Sequence, residues 1–350
     1  MEYCGSGSTP RFPASTRSIP GRWNQNRLIQ DADPEAQPPP PAGPKEPQAP
    51  SRHALPGGTP RMNVGAFTGT MADRAEGLKA SVRLNNGVAM PWLGLGVYQL
   101  APEGGVAASV LQALALGYRS IDTATIYGNE QGVGEAIRSS GVPRGELFVT
   151  TKVWNDDMRA DRVEAALAES LGRLGLDYVD LYLLHWPIRG KAVAAWRALE
   201  RMQRAGRIRA IGVSNFMRSH LDELLAAAEI VPAVNQIEFH PYLQSPPLVA
   251  HCQALGVRVE AWSPLMQGRA VLRDPVLVEI AERHGRTVAQ VILRWNVQTG
   301  VVTIPKTSTP HRMDENARVF DFALTATELA AIGGLDRNER VGPDPHSFNF

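Results

Sequence analysis

From Ser81 to its C-terminus the chain alternates short apolar runs with longer amphipathic stretches, eight times over. LGLGV, YRSIDTA, LFVTTKV, VDLYLLHW, IRAIGVSN, AVNQIEF, VRVEAWSP and VVTIP are each followed by a helical pattern. Helices are predicted over 103–116, 130–139, 159–174, 191–205, 218–228, 246–255, 276–284 and 314–320, with additional ones at 287–297 and 326–332. Several of the short runs are β-branched and apolar throughout, as strands buried on both faces are. Strands that alternate with helices in this way build parallel sheets. A domain of about 270 residues with eight such units fits the (β/α)8 TIM barrel. An open doubly wound sheet would place GxGxxG after its first strand. Here Gly94-Leu95-Gly96 continues into Val97, Tyr98 and Gln99, so that turn is absent. Ahead of the first unit, SVRLNNGVAMPWLG has two apolar runs about Asn86-Gly87, which predicts a β-hairpin capping the barrel.

The segment before this pattern is different material. Residues 1–78 hold the run Pro38 to Pro41, many Ser and Gly, and few aromatics. Such a segment buries too little apolar surface to offset its ordering entropy, so a disordered, Pro-rich extension is expected at 1–78, with the barrel domain at 79–350. The chain has 350 residues and a formal net charge of +1, which gives no reason to expect nucleic acid or an anionic membrane as partner. The two cysteines, Cys4 and Cys252, are too few for a disulfide framework. No apolar run approaches the roughly 20 residues of a membrane helix. A cytoplasmic location is expected, and with no long exposed apolar stripe in the pattern, a monomer.

Four residues fall at or just after the ends of successive predicted strands: Asp122 and Tyr127 in IDTATIYGNE, Lys152 in TTKVW, and His185 in LLHWP. Each has an ordinary alternative. A strand-end Asp often caps a helix, a Tyr packs, a Lys is solvated, and a His at the end of an apolar strand is a satisfied core residue. Together on one rim, where parallel barrels gather their chemistry, they form a proton-handling set. A zinc site is not expected, because His251 and Cys252 are adjacent rather than spaced for tetrahedral ligation.

With GVSNF, NQIEFHP, WSPL and IPKTSTPHRMDEN following in order, the pattern resembles the aldo-keto reductase superfamily, and within it the bacterial branch similar to 2,5-diketo-gluconate reductases. The resemblance implies the barrel fold, a nicotinamide cofactor bound in extended form, and an Asp–Tyr–Lys–His tetrad at Asp122, Tyr127, Lys152 and His185. Hydride reduction of a carbonyl builds an alkoxide that needs a proton donor. The phenol of Tyr127, with a reference pKa of about 10, is expected to be pulled lower by the Lys152 ammonium, itself held by Asp122. A neutral His185 would orient the carbonyl oxygen.

The later strands carry the expected cofactor contacts. Ser214, Asn215 and Gln236 suit a carboxamide, which presents both a donor and an acceptor. Trp262 would stack on the nicotinamide, with Ser263 and Leu265 along the pyrophosphate. Lys306 and Arg312 are cations suited to a 2′-phosphate, favouring NADPH/NADP+ over NADH. Thr307 belongs to the same segment, and in the resembling enzymes Glu315 and Asn316 would contact adenine. Where that branch often has a further Arg, this chain has Thr309 followed by Pro310. Tyr98, Trp154 and Trp186, with Trp92 and Asn155, are expected to line a mouth for a small carbonyl substrate, and the tail from Asp336 to Phe350 to cover it, Phe348 among its contacts. Two other readings fit parts of the set: a Schiff-base lyase using Lys152, and a nucleotide sensor without catalysis.

Overall fold

The computed structural model describes residues 77–101 and 105–348. The expected disordered extension lies outside the described residues, apart from Gly77 and Leu78; Leu78 packs against the barrel's core.

The hairpin forms where Asn86-Gly87 predicts it. Strands β1 (Ser81–Arg83) and β2 (Ala89–Pro91) pair antiparallel with Val82 opposite Met90. Gly87 sits at φ 85°, a left-handed value that a side chain would resist. The Asn85 and Asn86 side-chain amides donate to the backbone carbonyls of Pro232 and Arg209, at 2.9 and 3.0 Å. The hairpin is thereby fastened across the N-terminal end of the barrel. Its Leu84 and Met90, with Trp92, pack against Phe148, Leu181 and Val234, so that end is filled with apolar side chains.

Eight parallel strands follow in sequence order: β3 (Leu95–Gly96), β4 (Ser120–Asp122), β5 (Phe148–Val153), β6 (Val179–Leu184), β7 (Ile208–Ser214), β8 (Val234–Glu238), β9 (Arg258–Trp262) and β10 (Val302–Thr303). The sheet closes through a parallel bridge between Leu93 and Thr303, where the Gly94 N–H donates to the Thr303 carbonyl at 3.0 Å. Closure leaves no unpaired edge. Side chains of the central strands alternate between the interior and the surrounding helices: Val259 and Ala261 face the helical layer, while Glu260 between them turns inward.

Two helices depart from the sequence expectation. The helix predicted over 159–174 starts only at Val163 and runs to Leu174; a separate short helix, Asn155–Arg159, precedes it, and the two are parted at Asp161 with φ 55°. The helix predicted over 314–320 is Pro310–Ala317. It starts at Pro310 because a first-turn N–H has no partner inside the helix, so proline costs little there.

The segment bearing Tyr127 is a short 3-10 turn, Thr125–Tyr127, leading into the helix Glu130–Ser139. Buried polar side chains hold it in place. Asn129 accepts from the Thr123 hydroxyl at 2.8 Å and donates to the Val97 carbonyl at 2.9 Å. The buried Glu130 carboxylate accepts from the Thr151 hydroxyl at 2.6 Å and from Arg173 Nε at 2.7 Å. Glu130–Ser139 then packs so closely on Val163–Leu174 that a Cβ at Gly134 would run into the Leu174 carbonyl. Gly134→Ala gains about 1 kcal/mol of helix propensity, against about 2–3 kcal/mol of overpacking, the upper part of the usual range, at a backbone atom that cannot turn aside. Denaturant unfolding should show a net loss of about 1–2 kcal/mol for Gly134→Ala. An alanine variant as stable as the parent would mean the two helices are not in this contact.

Candidate active site

The C-terminal ends of β4, β5 and β6 bring Asp122, Tyr127, Lys152 and His185 together. Lys152 is fully buried; its ammonium donates to Asp122 Oδ1 at 2.6 Å and to the Thr123 carbonyl at 2.9 Å. The same Nζ lies 5.1 Å from the centre of the Tyr127 ring, and its charge acts on the phenol. The His185 ring meets Tyr127 at 5.9 Å and Trp154 at 5.2 Å, nearly edge-on to both.

Burial and charge set the protonation of this group. Burial alone would discharge Lys152, but the carboxylate of Asp122 and then the phenol of Tyr127 more than offset it, and its pKa ends above the usual lysine value. His185 is driven well below 6.5, first by burial and then by the Lys152 ammonium, so it is neutral near pH 7. The phenol corrects the sequence expectation. Burial pushes Tyr127 up to about 12; the Lys152 ammonium pulls it down and the Asp122 carboxylate pushes it back. A half-buried phenol beside a neutralised ammonium gains less than one beside a bare cation. Tyr127 is thus held protonated at neutral pH rather than acidified below 10. His185 Nδ1 is buried without a hydrogen-bond partner, while its backbone carbonyl accepts from Asn215 Nδ2 at 3.0 Å. Its other nitrogen is the one left to face an incoming group.

The residues singled out at the ends of β7, β8 and β9 form a connected net. Ser214 Oγ donates to the Gln236 carbonyl at 3.0 Å, and Asn215 Nδ2 donates to Ser214 Oγ at 3.1 Å. Trp262 Nε1 donates to Asn215 Oδ1 at 2.9 Å. Gln236 Nε2 donates to Asp122 Oδ2 at 2.8 Å, tying this net to the lysine pair. Asn215 and Ser263 adopt positive φ, 64° and 48°. Such conformations persist only where the surroundings over-determine them, and they cluster at functional sites. Leu265 is half-buried against the core.

After β10, Lys306 and Arg312 are exposed and enter no ion pair among the described residues, while Thr307 between them is buried. Thr307 Oγ1 accepts from the Thr309 N–H at 3.1 Å. Glu315 is half-buried 3.4 Å from His311, and Asn316 is buried one residue on. Uncommitted cations beside the free amides of a helix start suit a phosphate-bearing ligand.

At the mouth, Tyr98 is exposed and lies 4.9 Å from the Tyr127 ring, Trp154 flanks His185, and Trp186 stacks on Phe348 at 3.8 Å. The C-terminal tail reaches this rim because the buried Glu238 carboxylate accepts the N–H groups of Val341 and Gly342, at 2.6 and 3.1 Å. Asn155 is buried at the start of its helix. Trp92 does not join them: it packs under the barrel with Leu84 and Met90, and Arg258 lies 5.5 Å over its ring. It precedes β3, and residues ahead of a parallel strand lie at the opposite end from those after it. Sequence reasoning missed two inward carboxyls, Glu238 and Glu260. Their signal was an acidic residue within a strand, Glu260 in RVEAW and Glu238 at the end of VNQIE.

The profile of the Aldo/keto reductase family matches residues 93–337. Glyoxal reductase of Bacillus subtilis is 54% identical over 273 residues, spanning 78% of this chain and 99% of that protein. Methylglyoxal reductase DkgA of Salmonella typhimurium is 46% identical over 270 residues, 76% of this chain and 97% of that protein. A crystal structure of a Gox0644 mutant in complex with NADPH superposes with a TM-score of 0.73 at 42% identity, covering 77% of this chain and 98% of that one. With the barrel, the buried lysine pair and these likenesses together, the chain belongs to the aldo/keto reductase family.

Proposed function

We propose that this protein reduces small aldehydes and ketones to alcohols with NADPH, Tyr127 giving the proton. The observation that carries the reading is the Lys152 ammonium, buried between the Asp122 carboxylate and the Tyr127 phenol. Bound NADPH supplies a hydride to the carbonyl carbon. His185, neutral, donates from its open nitrogen to the carbonyl oxygen and fixes its position. As charge grows on that oxygen, Tyr127 passes its proton across. A phenol near 12 is still a far stronger acid than an alcohol, whose pKa is close to the roughly 15.7 of water, so the transfer runs downhill. Lys152 then faces a phenolate, the state in which its charge counts most, and solvent reprotonates the half-buried ring.

The net around Gln236, Asn215 and Ser214 fits a carboxamide, Trp262 the nicotinamide face, and Ser263 and Leu265 the pyrophosphate. Lys306, Thr307 and Arg312 would hold the 2′-phosphate, with Glu315 and Asn316 toward adenine. Substrates of the methylglyoxal class suit a mouth of Tyr98, Trp154 and Trp186, and two of the similar proteins are named as reductases of such dicarbonyls. Diketo sugar acids and other small carbonyls belong to the same reading. The imine-forming alternative needs a neutral amine, whereas Lys152 is charged and bound to Asp122. No helix among the described residues is long and apolar enough to cross a membrane. The same reading takes residues 79–350 as the catalytic domain of a cytoplasmic monomer.

In Tyr127→Phe, turnover with methylglyoxal should drop by about 100-fold or more, while NADPH binding, followed by fluorescence, survives; undiminished turnover would remove Tyr127 from its role. Reduction requires the protonated phenol, so its rate should hold through neutral pH and fall only as pH rises toward Tyr127's pKa of about 12. Alcohol oxidation requires the phenolate and should climb over that same range. A reductive rate that halves by neutral pH would contradict this assignment. Arg312→Ala removes a charge-assisted contact and should weaken NADPH binding about tenfold, leaving NADH binding unchanged. Equal losses for both nucleotides would place the 2′-phosphate elsewhere.

A further inference from the structure

Among the described residues, a buried carboxyl lies within the barrel that the proposed reaction does not use. Glu260 is fully buried on β9 and faces inward. Its Oε2 accepts from Gln236 Nε2 at 2.7 Å, and the same nitrogen donates to Asp122 Oδ2 at 2.8 Å. A primary amide nitrogen carries two hydrogens, and here each goes to a carboxyl group. An amide oxygen turned the other way would face Asp122 Oδ2, an acceptor of the carboxylate that Lys152 holds charged, so this orientation is the one allowed. Gln236 is left with its oxygen alone for anything outside.

We propose that Glu260 is a positioning residue that, together with Asp122, locks the Gln236 amide so that only its oxygen is offered to the nicotinamide carboxamide. This rests on the NADPH reading above. Asp122 alone cannot fix the amide, because one hydrogen bond leaves the group free to rock about its last torsion and the second hydrogen in search of a partner. Glu260 supplies the second point. A carboxamide arriving with its NH2 toward Gln236 then finds an acceptor already aimed, with no ordering cost at binding.

The charge arrangement explains how a second carboxyl is tolerated there. The charged groups facing Glu260 are Asp122 from β4 and Lys152 from β5; β8 presents the neutral Gln236, and Val302 of β10 is its register neighbour. One ammonium serves two carboxyls. Burial, then the Asp122 carboxylate, push Glu260 up to about 8, so it is mostly protonated near pH 7. Its Oε1, buried without a partner, is then half of a neutral acid rather than of an unpaired anion. The neutral acid still accepts from Gln236 through Oε2, and Lys152 remains committed to Asp122. The native state thus keeps a proton that the unfolded chain releases above the ordinary Glu value. Stability is greatest below that value and declines as pH rises toward about 8, where the native group ionises too.

Two substitutions separate the roles. Glu260→Gln keeps an acceptor for Gln236 and removes the titration; Glu260→Met fills similar space and accepts nothing. NADPH affinity, titrated by fluorescence, should weaken about three- to tenfold in E260M and return toward the parent value in E260Q. The melting temperature of the cofactor-free parent should decline between about pH 5 and 8, and that decline should flatten in E260Q. Equal NADPH affinity in E260M and the parent, or a loss in E260Q as large as in E260M, would overturn the positioning role. If E260M does not fold, a loss of affinity in E260Q comparable to removing the hydrogen bond overturns it, and parent-like affinity with the flattened profile supports it. A parent protein that binds no NADPH would instead sink the functional reading, while the pH profile of melting would still report on Glu260.

Discussion

The buried ion pair of Lys152 and Asp122 is the interaction around which the interior is arranged. Burying two charges costs several kcal/mol per ion before their attraction is counted, and a well-packed apolar pair of similar volume is often as stable. Stability is therefore a weak reason for its presence. Its neighbours show another. Asp122 uses its second oxygen for Gln236, Lys152 gives a further hydrogen to the Thr123 carbonyl, and the remaining face of the ammonium is turned to Tyr127. The pair's own hydrogen bonds are placed so that one direction is left open, toward the phenol.

That arrangement depends on the period of the strands. Inward positions near the N-terminal ends carry Phe148, Leu181 and Val234, an apolar layer closed from below by the hairpin's Leu84 and Met90. Inward positions farther along carry Asp122, Lys152, Gln236 and Glu260. A single residue of register slip would exchange these with neighbours such as Ile121, Val153, Ile237 and Ala261, which face the helices. The polar layer can be dry because the layer beneath it is apolar and the strands around it are closed. Fold and chemistry are therefore specified by the same alternation.

The eight repeats, the hairpin and the four central residues were legible because each rests on local signals: period, turn chemistry, and side chains at strand ends. The helix Glu130–Ser139 even has its predicted limits. What failed to show is what depends on depth or on which end of the barrel a residue occupies. Trp92 looked like rim aromatics elsewhere in the chain, yet three residues ahead of a strand is the floor. The lowering of the Tyr127 pKa was inferred from charges alone, and burial, which no local pattern displays, outweighed it. Glu260 was passed over because a lone acidic residue in VRVEAW gives no hint that the amide beside it already serves another carboxyl.

The two sides of the site are also joined by packing. Trp262 gives its indole N–H to Asn215 on the cofactor side, and Gly342 of the C-terminal tail lies so close over its ring that a Cβ there would collide with it. Glu238 fixes that approach by taking the N–H groups of Val341 and Gly342, and the same tail carries Phe348 onto Trp186 at the mouth. A displacement of the Trp262 ring therefore meets the tail, and a displacement of the tail changes the aromatic wall at the mouth. In the proposed function, selectivity for the carbonyl and seating of the nicotinamide would be coupled, because one continuous set of contacts runs from Asn215 through Trp262 to Phe348.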